Sequence, residues 1–424
     1  MPEQHPPQEQ DPAPQASGEP KRAGEPKRAG GRRHPQGHGH GHGPVVIPAT
    51  EARRVRIVLA ALVLPLLLAT IAGLVLLWPG GDTQVGSVPM NADDAIFERG
   101  VVVEVPGTQG AELVVEVTTG EFAGQEVSVQ TPPEVIAEGV DAGDQVRLLY
   151  LAGAAASGTP FFFVDFAREF PTAILLGIYL LVVALVARWR GLAAVVGLGA
   201  SLLIVATFVL PALMAGTSPL LVALVGSSAM MFAAVYFAHG ISIRTTTALL
   251  GTFVAVAITV GLGWWVIDMG NLVGNGSEEA FLVSQHFPDV SLRALLLCGI
   301  VLAGLGALND VTITQASAVW ELHAADPSAG RRKVFARAMR IGRDHIASTV
   351  YTLAFAYVGT SLPLLMIAAM YDRSLVDFFM AGEIAEELAR TLVSSIGLVL
   401  AIPMTTVISA ALVSTRRPER ASKA

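Results

Sequence analysis

The chain has 424 residues, of which 52% are hydrophobic and 15% are charged, with a formal net charge of −7. Soluble globular proteins carry about 25% charged residues, so this chain cannot cover a water-facing surface. The composition excludes a soluble enzyme, a nucleic-acid-binding protein and a disordered scaffold as descriptions of the whole chain. It predicts an integral membrane protein whose main partner is the lipid bilayer. The single cysteine, Cys298, excludes a disulfide framework and a cysteine-based zinc site.

Residues 1–52 are rich in proline, glycine and histidine. Such a segment has too few apolar groups to offset the entropy of ordering, so we predict a disordered cytoplasmic tail. A His/Gly run within it contains His34, His38, His40 and His42. These imidazoles predict weak binding of a transition metal, and a specific metal site is left open.

The first membrane helix is predicted at 53–78. An apolar run over 57–77 is preceded by Arg53, Arg54 and Arg56, and about 20 apolar residues span a bilayer. The run begins far from the N-terminus and lacks a cleavage site, which indicates a permanent signal anchor.

Residues 82–168 predict a small β domain. Short β-branched runs alternate with glycine, proline and aspartate, and the five candidate strands cover 101–105, 113–117, 126–129, 145–150 and 161–166. Five strands in this length favour a small barrel of the OB type. The segment holds 14 Asp and Glu residues against three arginines.

Residues 171–413 predict a seven-helix membrane domain, so the chain has about eight spans. The expected helices lie near 171–187, 192–213, 219–238, 246–267, 292–318, 346–370 and 390–413. A basic amphipathic helix over 328–345 is expected on the anionic inner leaflet. Residues 414–424 form a predicted cytoplasmic tail.

The distribution of Lys and Arg predicts the orientation. With the N-terminus inside, the inner segments hold 22 of these residues and the outer segments hold six. Both termini are therefore expected in the cytoplasm, with the acidic β domain outside.

The sixth membrane helix contains an ionisable residue, Asp310, within an apolar sequence. Steps of three and four residues place it on one helical stripe with other small and polar residues. The members of this α8 stripe, as we call it, are Gly299, Ala303, Gly306, Asp310, Thr314, Ser317 and Glu321.

The stripe is expected to face the bundle, with Val301, Leu305 and Leu308 toward lipid. Asp310 would then be a proton or cation relay continued by Thr314 and Glu321, because intramembrane acids are usually functional. The alternative is a neutral Asp that only ties helices together. The Asn309 side chain points about 100° away from that of Asp310 around the helix axis. We expect it mainly to pack against a different helix.

Two later helices contain prolines beside hydroxyl residues: Ser361 with Pro363, and Pro403 with Thr405 and Thr406. Interrupted helices of transporters expose backbone groups to ions or substrates, and the alternative is an ordinary kink.

No catalytic motif or cofactor-binding motif is present, so we expect neither an enzyme nor a cofactor. Glu386 and Arg390 have the i, i+4 spacing of a salt bridge.

Three ordered segments resemble the YibE/F-like family of bacterial membrane proteins. They are GLGALNDVTITQASAVWEL at 304–322, GRDHIASTVYTLAFAYVGTSLPLL at 342–365 and ARTLVSSIGLVLAIPMT at 389–405. The family pattern maps onto Asp310, Glu321, Gly342, Arg343, Asp344, Gly359, Pro363 and Pro403. The resemblance implies a multi-pass topology in the bacterial cytoplasmic membrane, and it implies no particular activity.

A fainter local similarity links residues 309–349 to the export helpers SecD/SecF, which are thought to use an intramembrane Asp for protons. Together these features predict an ion- or proton-coupled transporter or translocation helper of unknown substrate. The alternative is a non-transporting scaffold or sensor whose outer β domain binds an envelope protein, a small molecule or an ion.

Overall fold

The computed structural model describes residues 49–80, 85–86, 95–105, 112–372 and 374–413. The four histidines of the His/Gly run and the predicted tail at 414–424 lie outside these residues. The description begins within α1, Ala49–Leu76, which carries the arginines that precede the first apolar run.

The predicted β domain is a closed five-stranded barrel. Four of its strands lie close to their predicted ranges, whereas the first begins at Ala95, six residues before its predicted start at 101. The strands are β1 (Ala95–Glu104), β2 (Leu113–Val117), β3 (Glu126–Gln130), β4 (Gln145–Leu151) and β5 (Phe161–Phe166). A short helix, α2 (Pro133–Gly139), separates β3 from β4. The strand order is β1-β2-β3-β5-β4, a closed small barrel of the kind found in OB folds.

Alternation along the strands gives the barrel its own core. Val115, Val129, Val146 and Leu148 are fully buried there, and an aromatic group of Phe122, Tyr150 and Phe161 packs against them. This core shares no described residue with the main core of the helical bundle, so the barrel has a hydrophobic core of its own.

The remaining described residues are mainly helical. Their helices are α3 (Glu169–Ile204), α4 (Leu210–Met214), α5 (Pro219–His239), α6 (Ile243–Met269), α7 (Glu278–His286), α8 (Leu292–Ala325), α9 (Arg331–Thr360), α10 (Leu362–Ala369), α11 (Leu375–Phe379) and α12 (Gly382–Leu412). A π-helical segment, Val205–Val209, joins α3 to α4.

Six of the described helical segments are long and apolar enough to cross a membrane, or seven if the bent pair α9–α10 forms one span. The expected eight spans would require Glu169–Met214 to be two. That segment has 46 residues, about 69 Å of helix against an apolar bilayer thickness of about 30 Å. Arg188 breaks its helical geometry with φ 54° and ψ −143°, at the position between the two expected helices.

The centre of the bundle is formed by α6, α8 and α12. Two reciprocal glycine–threonine contacts bring α6 and α12 together: Gly251 lies against Thr405, and Gly397 lies against Thr259. A Cβ atom on either glycine would collide with the facing threonine. Small residues allow such close approach where lipid provides no hydrophobic driving force.

The amphipathic helix expected at 328–345 is not a separate helix on the membrane surface. It is the first half of α9, which continues unbroken to Thr360. Val334 and Ala338 on its apolar side are buried in the main core, so this side packs on protein. The basic residues project from a helix that runs directly into the next apolar segment.

Candidate functional site

The α8 stripe faces away from the packed bundle, which corrects the expected orientation of α8. Asp310, Gly306 and Ala303 are exposed, whereas Val301, Leu305 and Leu308 are buried in the main core. The apolar face was expected toward lipid, but it packs on neighbouring helices. The stripe is therefore left open, with an ionisable carboxyl group near its middle.

Asp310 lies in a polar neighbourhood on this open side. Thr314 and Ser317, the next two members of the stripe, are half-buried. His239, the last residue of α5, lies within electrostatic range of the Asp310 side chain. The proximity of His239 to Asp310 could not be predicted from spacing along α8, because the two residues lie on different helices.

An ion pair lies at the C-terminal end of the stripe. Arg244 Nη1, at the start of α6, lies 2.9 Å from Glu321 Oε1. Since Glu321 is engaged in this way, the polar stripe ends at a fixed charge pair between α6 and α8.

The opposite side of α8 carries a buried polar layer that sequence reasoning missed. Thr312 and Thr252 share a hydrogen bond of 2.7 Å between α8 and α6. The side-chain amide of Gln315 donates to Ala338 O of α9 at 3.1 Å and to Thr406 Oγ1 of α12 at 2.7 Å. A glutamine within an apolar helix was the available signal, because such a residue needs partners inside a bundle.

Asn309 and Thr405 contribute to this interior without a visible hydrogen-bond partner. Among the described residues, no partner lies within reach of Asn309 Oδ1 or Thr405 Oγ1, although both atoms are buried. Thr406 Oγ1 donates to Ile402 O at 2.6 Å. Asn309 and the two threonines thus belong to the bundle interior, and the structure separates them from the open stripe.

The two prolines have different effects on their helices. The chain bends by 65° between α9 and α10, with Ser361 at the break and Pro363 in the first turn of α10. Pro403 lies inside α12, which continues from Gly382 to Leu412. A broken helix is therefore present at Pro363 and absent at Pro403.

A cavity of about 510 Å³ lies at the N-terminal end of α8, beside the start of the stripe. We call it the α7–α12 cavity. Gly299 and Leu302 of α8 line it, so it adjoins the start of the α8 stripe. Thr360 and Ser361 at the α9–α10 break also line it. The cavity, the broken helix and the stripe therefore meet on one side of α8.

Charged residues of α12 and α7 form one wall of this cavity. Arg390 Nε lies 3.3 Å from Glu387 Oε2, so the ion pair predicted between Glu386 and Arg390 is wrong. Glu386 Oε1 accepts instead from the backbone N–H of Gly274 at 2.8 Å. Glu383 has no cationic partner among the described residues, and the charges of Glu279, Glu386 and Glu387 act on it.

The described residues contain no group of three or more His, Cys, Asp or Glu side chains arranged to hold a metal ion. The weak metal-binding prediction for the histidine run concerns residues outside this description.

These features define a multi-pass helical membrane protein with an inserted β barrel. The chain belongs to the YibE/F-like protein family, whose family model matches residues 175–415. The match covers more than half of the chain, from α3 to the end of α12, and it includes all three segments that carried the resemblance. No curated protein matches the chain, and no solved structure does. The local similarity to SecD/SecF stays an expectation.

Proposed function

We propose that this protein is an ion- or proton-coupled membrane transporter or translocation helper in which Asp310 carries the coupling proton or cation. The observation that supports this role is the position of Asp310 in a membrane-length helix, on a stripe that the neighbouring helices leave open. An aspartate at the centre of a membrane helix costs about 2.5–3.5 kcal/mol on insertion scales. A carboxyl group in this place needs water, a proton or a cation.

In this proposal the protein lies in the bacterial cytoplasmic membrane with both termini in the cytoplasm. The excess of Lys and Arg in the inner segments supports the orientation. The barrel and the α7–α12 cavity are then on the outer side, and the Arg244–Glu321 pair is on the inner side. Asp310 lies between them, where it alternates between protonated and ionised states during transport.

The test is whether Asp310 titrates in the full chain. The protein is reconstituted in lipid bilayers, and infrared difference spectra are recorded between about pH 5 and pH 8, because an apolar lipid environment disfavours the ionised form of a carboxyl group. We expect a carboxylic-acid band that disappears in Asp310→Asn. Asp289→Asn, which removes an exposed carboxylate just before α8, is the matched control and should keep the band.

Flux through the same liposomes gives the functional measurement. An imposed membrane potential should drive proton uptake that a trapped pH-sensitive dye detects and that Asp310→Asn abolishes. A carboxyl group that stays ionised throughout this pH range, together with equal uptake by both variants, would reject the role.

The second candidate function is a scaffold or sensor, and the acidic barrel favours it. The barrel has its own core, and its segment carries 14 acidic residues, so it suits a basic envelope partner. Residues 82–168 alone are used as bait against a solubilised cell envelope. A stable partner, combined with no flux by the full chain, supports the scaffold over the transporter.

A further inference from the structure

The α7–α12 cavity has the size and the apolar wall of a small-molecule site. Ligand pockets in proteins enclose about 300–1,000 Å³ and are lined mainly by apolar side chains with a few polar groups, and this cavity encloses about 510 Å³. Its apolar wall comes from Val209, Leu213, Leu295 and Leu302. A ligand with a hydrocarbon part of several carbons can be accommodated against this wall.

Another part of the cavity lining is negatively charged. Four carboxylates line the cavity, from Glu279, Glu383, Glu386 and Glu387, against the single guanidinium of Arg390. Glu387 neutralises Arg390 through their ion pair, and Glu386 is satisfied by the Gly274 amide. Glu383 is half-buried and has no cation beside it in the described structure. A cation entering the cavity would therefore meet an unneutralised carboxylate.

Hydroxyl groups complete the polar side of the cavity at the break between α9 and α10. Thr360 Oγ1 donates its own proton to Tyr357 O at 2.9 Å, so its lone pairs remain available as acceptors. Ser361 stands at the 65° bend. Helix breaks form substrate sites in membrane transporters because the helical hydrogen-bonding pattern is interrupted there.

We infer that the α7–α12 cavity binds a small organic ammonium ion, with its charged group at Glu383 and its hydrocarbon part against the Leu295–Leu302 side of α8. A primary ammonium has three N–H donors, and the cavity lining offers it the Glu383 carboxylate as an acceptor, with hydroxyl oxygens elsewhere in the same lining. The inference that this ligand is a transported substrate rests on the proposed function. Binding itself does not depend on Asp310.

The experiment measures binding of radiolabelled phenethylammonium to the full chain in detergent micelles by equilibrium dialysis, with empty micelles subtracted. Hydrocinnamate, an anion of similar size and shape, is the competitor that controls for apolar partition. Glu383→Gln is the test variant. Glu278→Gln is the matched control, because it removes the same charge from the first turn of α7 but lies outside the cavity lining.

We expect saturable binding that hydrocinnamate does not displace, a Kd at least tenfold weaker in Glu383→Gln, and an unchanged Kd in Glu278→Gln. Asp310→Asn should bind phenethylammonium normally, so a failure of the coupling role would leave this result intact. The assignment is overturned if binding does not saturate, if hydrocinnamate competes equally, or if both glutamine variants weaken binding alike. Folding of each variant is checked by its elution and thermal unfolding, and a misfolded Glu383→Gln is replaced by Glu383→Asp, which should retain binding.

Discussion

Gln315 of α8 and Thr406 of α12 are joined by a hydrogen bond of 2.7 Å in the buried centre of the bundle. The same amide nitrogen reaches Ala338 O of α9 at 3.1 Å, so one side chain connects three helices. Gln315 is only 2% exposed and Thr406 is fully buried. These contacts fix the helices on the side of α8 that faces away from the open stripe.

Replacing Gln315 by Leu should lower the stability of the bundle by about 1–2 kcal/mol. The reason is that a buried carbonyl and a buried hydroxyl lose their donor, although interhelical hydrogen bonds in membranes are individually modest. Reversible unfolding of the purified protein in mixed micelles measures the change. Thr406→Val and the double variant complete a cycle, and strictly additive effects would show that the two side chains do not interact.

Gly342→Ala should be destabilising by about 1–3 kcal/mol, the usual cost of overpacking. A Cβ atom at Gly342 would lie 2.6 Å from Ile402 Cγ2 and 3.0 Å from Gln315 Oε1, so α9 would have to move away from α8 and α12. Gly359→Ala is the control in the same helix, since a Cβ atom there meets no atom within 4 Å. The same unfolding assay should rank Gly359→Ala at or above the parent protein.

Asp326 should hold the connection between α8 and α9 in a pH-dependent manner. The Ser328 hydroxyl and the nearby Lys333 and Arg337 hold the pKa of Asp326 below its usual value. A carboxyl group whose pKa is lowered by folding stabilises the fold above its unfolded pKa of about 3.9 and loses this effect as pH falls through the folded value.

The measurement is amide hydrogen exchange of residues 326–330 in the full chain. At neutral pH, Asp326→Asn should exchange faster than the parent. The difference should shrink as pH falls below about 3.9 and disappear below the lower pKa that Asp326 has in the folded protein. A difference that persists at low pH would mean that the carboxylate charge is not the cause.

Gly120→Ala should weaken the barrel. Gly120 has φ +68° and lies directly against the carboxylate of Glu98, which is 4% exposed and accepts from Thr119 Oγ1 at 2.7 Å. The substitution adds both backbone strain and a collision. Gly124→Ala, with φ +84° and open space around it, adds only the strain of about 1 kcal/mol. Thermal unfolding of the barrel should therefore separate the two variants.

The open side of α8 can be probed by cysteine accessibility. In a Cys298→Ala background, Ala303→Cys on the stripe should react with a charged, membrane-impermeant thiol reagent if water reaches this face. Leu305→Cys, on the buried face of the same helix, should stay unmodified. Protection of both positions would show that the stripe is covered by lipid or protein, and it would remove the support for a hydrated path to Asp310.

The sequence predicted the barrel well because half-buried strands have a period of two, and each run is closed by turn residues. The face of α8 was predicted wrongly for a physical reason. Val301, Leu305 and Leu308 are as suitable for lipid as for a protein core, so composition could not decide which neighbour they meet. The deciding contacts involve α6 and α12, which are distant in sequence.

The prediction of a separate surface helix before residue 346 was wrong because it relied on the charge pattern. The basic residues from Arg331 to Arg343 suggested a separate surface helix, but Gly342 lets the helix pass close to Ile402 without a break. The partners of the charged residues in the cavity could not be predicted from sequence spacing either, because Glu386 accepts a hydrogen bond from the backbone amide of Gly274, which is distant in sequence.

The barrel has a consequence for any partner outside the membrane. Its five strands form a closed ring, and the ring is completed by only two residue pairs between β3 and β5, Val129 with Phe161 and Gln130 with Phe162. Beyond these two pairs, residues 126–128 of β3 and 163–166 of β5 have no described strand partner on the sides where the two strands meet, so an unpaired edge remains beside this contact. An extended peptide can continue a sheet at such an edge. We therefore expect a partner with an extended backbone segment to bind beside the β3–β5 contact, where it adds a strand to the sheet.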